Sequence, residues 1–223
     1  MFSKIASTAL GVVTLSSLFA SAAPAQLQKQ EVTVVSNCVN KGQVALTFDD
    51  GLYEYELDVV KHLGDSKATF FLNGNNFGCI YDHADELNDE LAKVEEAFIR
   101  ILGVRPLYFR PPYGEYNDLL LSALTARGYK KLFLWSDDTQ DGNLVPVDQS
   151  KGVYDQVSAS YPAPHIILGH SVYDSTANDV VPYAVSELKK KGYQLVAVDT
   201  CMGSEGEWPY EWVGQPQTGK WQC

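Results

Sequence analysis

The stretch VALTFDDGLYEY, Val44 to Tyr55, decides the fold. A β-type apolar run, Val44–Phe48, ends in two adjacent acids, Asp49 and Asp50, and a glycine, and a helical pattern then begins at Glu56. Apolar runs of this length bounded by turn residues read as buried strands, and a helix that follows makes a βα unit. Working outward, the unit recurs. Further strand-like runs are Thr69–Leu72, Leu107–Phe109, Leu132–Trp135, Ile166–Leu168 and Leu195–Val198, making six in all. Helical patterns fall at Glu56–Leu63, Ala84–Leu102, Leu119–Arg127, Val153–Ser160 and Asp179–Lys191. Gly103, Gly128 and Gly192 each follow a helix where a glycine cap is wanted. Alternation of this kind predicts parallel strands with crossover helices, in an open sheet or a barrel.

Parallel α/β folds gather their sites at the C-terminal ends of the strands. Here those ends carry Asp49-Asp50-Gly51, Asn73-Gly74-Asn75, Arg110-Pro111-Pro112-Tyr113-Gly114, Ser136-Asp137-Asp138 with Asp141, and Gly169-His170. Each alone reads as a turn or a helix cap. Together they put acids, an arginine and a histidine on one rim.

The 223 residues are 45% hydrophobic and 20% charged, which suits one globular domain. Before it, Lys4, an apolar run from Ile5 to Phe19 and Ala20-Ser21-Ala22 predict a signal peptide over residues 1–22. An exported protein is expected, extracellular or associated with the cell wall, with no membrane span. Residues 23–37 read as a flexible leader, 38–202 as the domain and 203–223 as an aromatic tail anchored by cysteine. The net charge of −11 argues against nucleic acid or anionic lipid as partner. Cys38, Cys79, Cys201 and Cys223 favour two disulfides in an exported chain, and three pairings are open. Trp208, Trp212 and Trp221 lie in the tail, either packed on the domain or offered to a sugar. No Asn-x-Ser/Thr acceptor is present.

TFDDG (47–51), RPPYG (110–114) and ILGH (167–170), in that order after successive strands, resemble the polysaccharide deacetylases, the NodB-homology carbohydrate esterases. The wider text, from about Cys38 to Met202, is most similar to secreted chitin deacetylases. The resemblance implies a distorted (β/α)7 barrel and hydrolysis of N-acetyl groups on N-acetylglucosamine polymers such as chitin, with a divalent metal, usually zinc, and a monomeric enzyme. It implies Asp49 as catalytic base, Arg110 as its partner, Asp50 as a metal ligand and His170 as general acid. Asp141, ahead of Asp138, would orient that histidine. Pro112, Tyr113 (through its backbone N–H), Leu168 and Trp135 would line the substrate. The residue types suit the task, because an amide needs a polarised carbonyl, a base for water and an acid for the leaving amine.

One part of the pattern is missing. The family's His-x-x-x-His, which supplies imidazole ligands, should fall between Asn75 and Pro106, and no such pair exists in the chain. A lone carboxylate selects zinc poorly. The interval resembles two helices spliced together, so the barrel is expected to be short of one βα unit, on the order of 30 residues. Of the four histidines, His62 and His165 fall on the opposite rim, and only His83 could stand in as a weak ligand. Two expectations follow: a deacetylase impaired by its ligand set, or a non-catalytic glycan-binding relative or incomplete gene model.

Overall fold

The first of two interior surfaces is set by the alternation along β2 (Gln43–Gly51). Val44, Leu46 and Phe48 point one way, and pack with Val59 and Leu63 of α1 (Glu56–Leu63) and with Val181, Ala184 and Leu188 of α5 (Val181–Lys191). Ala45 points the other way, into a cluster with Cys38, Phe133, Ile166 and Cys201. Phe48, Leu46 and Ile167 are almost fully buried, each stabilising by roughly 1.5–3 kcal/mol. The period of two therefore places Ala45, Thr47 and Asp49 on the interior face and the three larger side chains against helices.

The computed structural model describes residues 31–73, 87–203 and 207–217. In it β2 pairs in parallel with β3 (Ala68–Leu72) on one side and with β8 (His165–His170) on the other. β7 (Asp137–Asp138) extends the sheet beyond β8, and β9 (Gln194–Leu195) pairs with the start of β2. A second parallel sheet has the order β1 (Thr33–Val35), β6 (Lys131–Phe133), β5 (Tyr108–Phe109). The chain between β6 and β7 joins the sheets: Leu134 N–H donates to Val35 O, and Ser136 N–H to Ile166 O. Helices α2 (Leu87–Leu102) and α3 (Asp118–Arg127) cover the second sheet through Leu91, Leu120, Leu124 and Leu132. The remaining elements are α4 (Val147–Ala159), the short α6 (Val198–Cys201), and β4 (Val104–Pro106) paired antiparallel with β10 (Tyr210–Trp212).

The βα alternation and the parallel strands agree with the expected barrel-like α/β fold. Among the described residues no ladder joins β3 to β5, so the strand path is open there. That seam falls where the sequence lacks a βα unit. Gly103, Gly128 and Gly192 all have positive φ, as glycines that end helices do.

Several boundaries differ from expectation. Residues 33–35 of the presumed leader form β1, because Lys131–Phe133 offers them an open edge; tertiary pairing overrides their polar flanks. The last strand stops at Leu195, and Val198 opens α6 instead. Helix α4 starts at Val147, after Pro146, and runs through Gly152, six residues ahead of the expected start at Val153. A π-helical turn, Thr176–Val180, precedes α5. The expected strand Leu132–Trp135 ends at Phe133 in β6, and Leu134 and Trp135 lie in the connection to β7. Cys38 and Cys201 form a disulfide, which selects among the open pairings; Cys79, Cys223, Trp221, His83 and residues 1–22 lie outside the described residues.

Candidate active site

Strand register builds the site. β2 and β8 align Ala45 with Ile166, Thr47 with Leu168 and Asp49 with His170, so Asp49 and His170 end neighbouring parallel strands side by side. Both are inward positions, two and four residues on from core side chains. Leu168 lies one pleat below His170 and is 5% exposed, at the floor of the rim.

Arg110, at the end of β5, reaches across beneath them. Its Nη1 donates to Asp49 Oδ1 at 2.8 Å and to Thr47 Oγ1 at 2.9 Å. Nε and Nη2 donate to the carbonyls of Phe133 and Leu134 at 3.3 and 3.1 Å. The guanidinium lies 4.1 Å from the Phe71 ring centroid and 5.6 Å from that of Trp135. With its side chain 1% exposed, a cation here is tolerable only because its donors are taken and an anion faces it. Burial lowers the Arg110 pKa and Asp49 offsets part of that, yet a guanidinium stays charged. Burial raises the Asp49 carboxyl above the usual range, and Arg110 takes back only part of the rise. A raised carboxylate is a better proton acceptor than a free one.

His170 is held from the other side. Its Nδ1–H donates to Asp141 Oδ1 at 2.7 Å, and its backbone N–H to Asp141 Oδ2 at 2.8 Å. Thr176 Oγ1 and the Gly142 N–H also donate to Asp141, at 2.7 and 2.9 Å. Burial pushes the Asp141 carboxyl up, but these donors and the His170 charge outweigh it, and its pKa lies below the usual value. Burial likewise disfavours the His170 imidazolium, but Asp141, Asp50 and Asp49 overcome it and raise the imidazole pKa. Nε2 is left facing the rim. Gly142 packs under the ring so closely that a Cβ there would meet Cε1 at 2.9 Å. Asp138 is elsewhere, accepting from the Gln140 N–H at 2.7 Å.

The RPPYG loop forms the far wall. Tyr113 is in the left-handed region, φ 59°, with its ring 93% exposed, and Pro112 is exposed beside it. Trp135 fills the space under this loop and touches the Gly114 backbone region. Sequence reasoning missed Thr47 and Thr176, the second partners of Arg110 and Asp141. It also missed Glu56, which accepts from Tyr53 N–H and Ser171 Oγ and so pins the turn after Asp50. Thr47 was within reach, being the inward residue two before Asp49; the other two depend on contacts distant in sequence.

The donor set for an ion is thin. Asp50, also left-handed with φ 65°, has a 54% exposed carboxylate whose Oδ2 is 4.0 Å from His170 Nε2. Among the described residues no group of three His, Cys, Asp or Glu side chains could hold a metal. His165 bonds Asp137 and Ser160 at 2.7 Å each, at the opposite end of β8, and His62 lies 3.4 Å from Asn178. The described residues do not fit the zinc site that the resemblance implies.

Comparison with known proteins agrees with this frame. The family model for polysaccharide deacetylase matches residues 80–132. A chitin deacetylase of Pestalotiopsis sp. is 33% identical over 220 residues, covering 82% of this chain and 72% of that protein. The chitin deacetylase of Colletotrichum lindemuthianum is 29% identical over 242 residues, covering 90% of this chain and 97% of its own length. The solved structure of the deacetylase from that fungus superposes with a TM-score of 0.72 at 26% identity, over 82% of this chain and 97% of that one. On motifs, strand register and relatives together, the chain belongs to the polysaccharide deacetylase family.

Proposed function

We propose that this protein is a secreted polysaccharide deacetylase directed at chitin or related N-acetylglucosamine polymers, with turnover impaired by its ligand set. The observation that carries the reading is the pairing of Asp49 with His170 on adjacent strands, each backed by a buried counter-charge. Asp49 accepts a proton from the attacking water, and Arg110 orients it. The water oxygen bonds to the amide carbon, and the oxyanion is met by the backbone N–H of Tyr113. His170 gives its Nε2 proton to the departing nitrogen as the C–N bond breaks, releasing acetate and an amine. Asp141 keeps the imidazole charged and turned toward the substrate. Leu168, Pro112 and Trp135 shape the acetyl pocket. The net charge of −11 suits a polymer that turns from neutral to cationic as it reacts.

An amide carbonyl is a poor electrophile, and a half-exposed carboxylate whose neighbouring imidazole, His170, is committed to Asp141 is a weak holder of zinc. Turnover is therefore expected near background, and a non-catalytic glycan-binding role is the second reading, favoured by the missing donors. Acetate release from N-acetylglucosamine oligomers, with and without added zinc or cobalt, separates the two. Metal-dependent acetate release that disappears in Asp49→Asn establishes the enzyme. Binding without release under every metal establishes the second reading. Sequencing the transcript adds a check, since an exon encoding His-x-x-x-His would restore full activity to the gene product.

A further inference from the structure

We infer that His165 is a proton-operated clasp at the end of β8 opposite the candidate site. It holds the last turn of α4 and the start of β7 against the sheet while its ring carries both protons, and lets that turn loosen when it carries one. β8 has a histidine at each end, and each is hydrogen-bonded to an aspartate of the segment 137–141. The rim pair, His170 with Asp141, belongs to the candidate site. The base pair, His165 with Asp137, has no part in it.

The short contacts of the base pair fix how many protons it needs. His165 Nδ1 lies 2.7 Å from Asp137 Oδ2, and Nε2 lies 2.7 Å from Ser160 Oγ. Ser160 closes α4, and its Oγ lies 2.7 Å from Val157 O, one turn back. Burial pushes the Asp137 carboxyl up, but hydrogen bonds from His165 and Ser136 outweigh it and hold the group below the usual value, as a carboxylate. Nδ1 therefore donates. Val157 O can only accept, so it takes the Ser160 hydroxyl proton and Nε2 donates as well. Three contacts of 2.7 Å thus need three protons, and only an imidazolium with the serine supplies them. A neutral ring supplies one fewer. Ser160 then turns its proton to Nε2, Val157 O faces the hydroxyl lone pairs, and the contact must lengthen.

The neighbouring hydroxyl does not fill the gap. Tyr193 Oη is 3.4 Å from Ser160 Oγ, but it donates to Ala163 O at 2.8 Å. Around the ring, β7 presents Asp137, with Ser136 bonded to it, and the end of α4 presents Ser160. The chain entering β9 presents Tyr193 edge-on at 6.3 Å, and β2 presents apolar Val44 at the same register. The His165 and Asp137 side chains are 14% and 22% exposed, so water is a minor partner for either. Asp137 lies four residues before Asp141, and the two histidines of β8 thus hold one segment at both ends.

Two measurements on the full chain across about pH 5–9 test the clasp. Ring nitrogen-15 shifts follow the charge on His165. Amide exchange at Ser160 and Tyr161, corrected for its intrinsic pH dependence, follows the last turn of α4. Protection there is expected to fall about five-fold or more over the interval in which His165 gives up its second proton. In His165→Gln, which cannot titrate, and in Ser160→Ala, which has no hydroxyl to share, that step is expected to vanish. Protection that stays level while the ring titrates overturns the inference, and so does a step that survives in either variant. Should His165→Gln fail to fold, Ser160→Ala, at an exposed position, carries the test alone.

Discussion

Asp49 and Asp50 are neighbours in sequence and opposites in surroundings. Asp49 points inward onto a guanidinium whose side chain is 1% exposed, while Asp50 turns its carboxylate outward, 54% exposed, on a left-handed backbone. The acid–base half of the rim is thus fully furnished, with partners supplied by β2, the end of β5, β6 and the helical turns that carry Asp141 and Thr176. The ligand half is one carboxylate next to the open seam between β3 and β5. A fold can keep one half of a catalytic apparatus because that half is also structural: the Arg110 network ties β5, β6 and β2 together. Asp50 lies outside that network, at the exposed end of β2.

The sharpest break in that contrast is Arg110→Ala. It leaves Asp49 buried without its counter-charge and strips two strand carbonyls of donors, and is expected to cost about 3–5 kcal/mol of stability by urea unfolding. A loss under 1 kcal/mol would mean the corner is not structural. Calorimetry with zinc at neutral pH is expected to show no stoichiometric sub-micromolar site, since a full structural ligand set supplies roughly 10–16 kcal/mol and a single carboxylate little of it. A tight site lost in His83→Ala would instead assign that histidine as a ligand.

Next comes the histidine. Asp141→Asn is expected to lower the His170 pKa by about a unit or more, read from its ring proton shift by NMR. The pH dependence of stability follows the same contacts. Asp141 is depressed, so its contribution is present above the ordinary carboxylate range and is lost as pH falls through its lowered value. His170 is raised, so its contribution is full below the ordinary imidazole range and fades as pH rises through its raised value. Asp49, also raised, acts in the same direction as His170. The urea midpoint is therefore expected to be higher near about pH 6 than near about pH 8, and the difference to shrink in His170→Gln. The smallest effect is Asp50→Ala, expected to change stability by no more than about 0.5 kcal/mol. A larger change would show that the two halves are not as unequal as their exposures imply.

Much of this was legible in the chain. The apolar run before Asp49 announced β2, and α1 begins and ends where its pattern does, at Glu56 and Leu63. The rim residues were found because the C-terminal ends of parallel strands share one side of a sheet, a rule that needs no coordinates. Strand β1 was not legible: three residues amid polar text become a strand only by pairing with Lys131–Phe133, nearly a hundred residues on. Thr176 escaped for a related reason. It reaches Asp141 from a π-helical turn whose local sequence, TANDV, carries no signal of that distant contact.

The disulfide between Cys38 and Cys201 has a consequence for how the molecule survives being cut. It closes a loop over a sequence separation of 163, and nearly every element of the two sheets lies inside that loop. Any single backbone cleavage between the two cysteines leaves one covalent molecule. Cleavage in the interval between β3 and α2 would put Asp49 on one fragment and Arg110, Asp141 and His170 on the other, still tethered at the base of the fold. Such a nicked protein would migrate as two bands only after reduction, and its two halves would keep the high local concentration that reassembly needs.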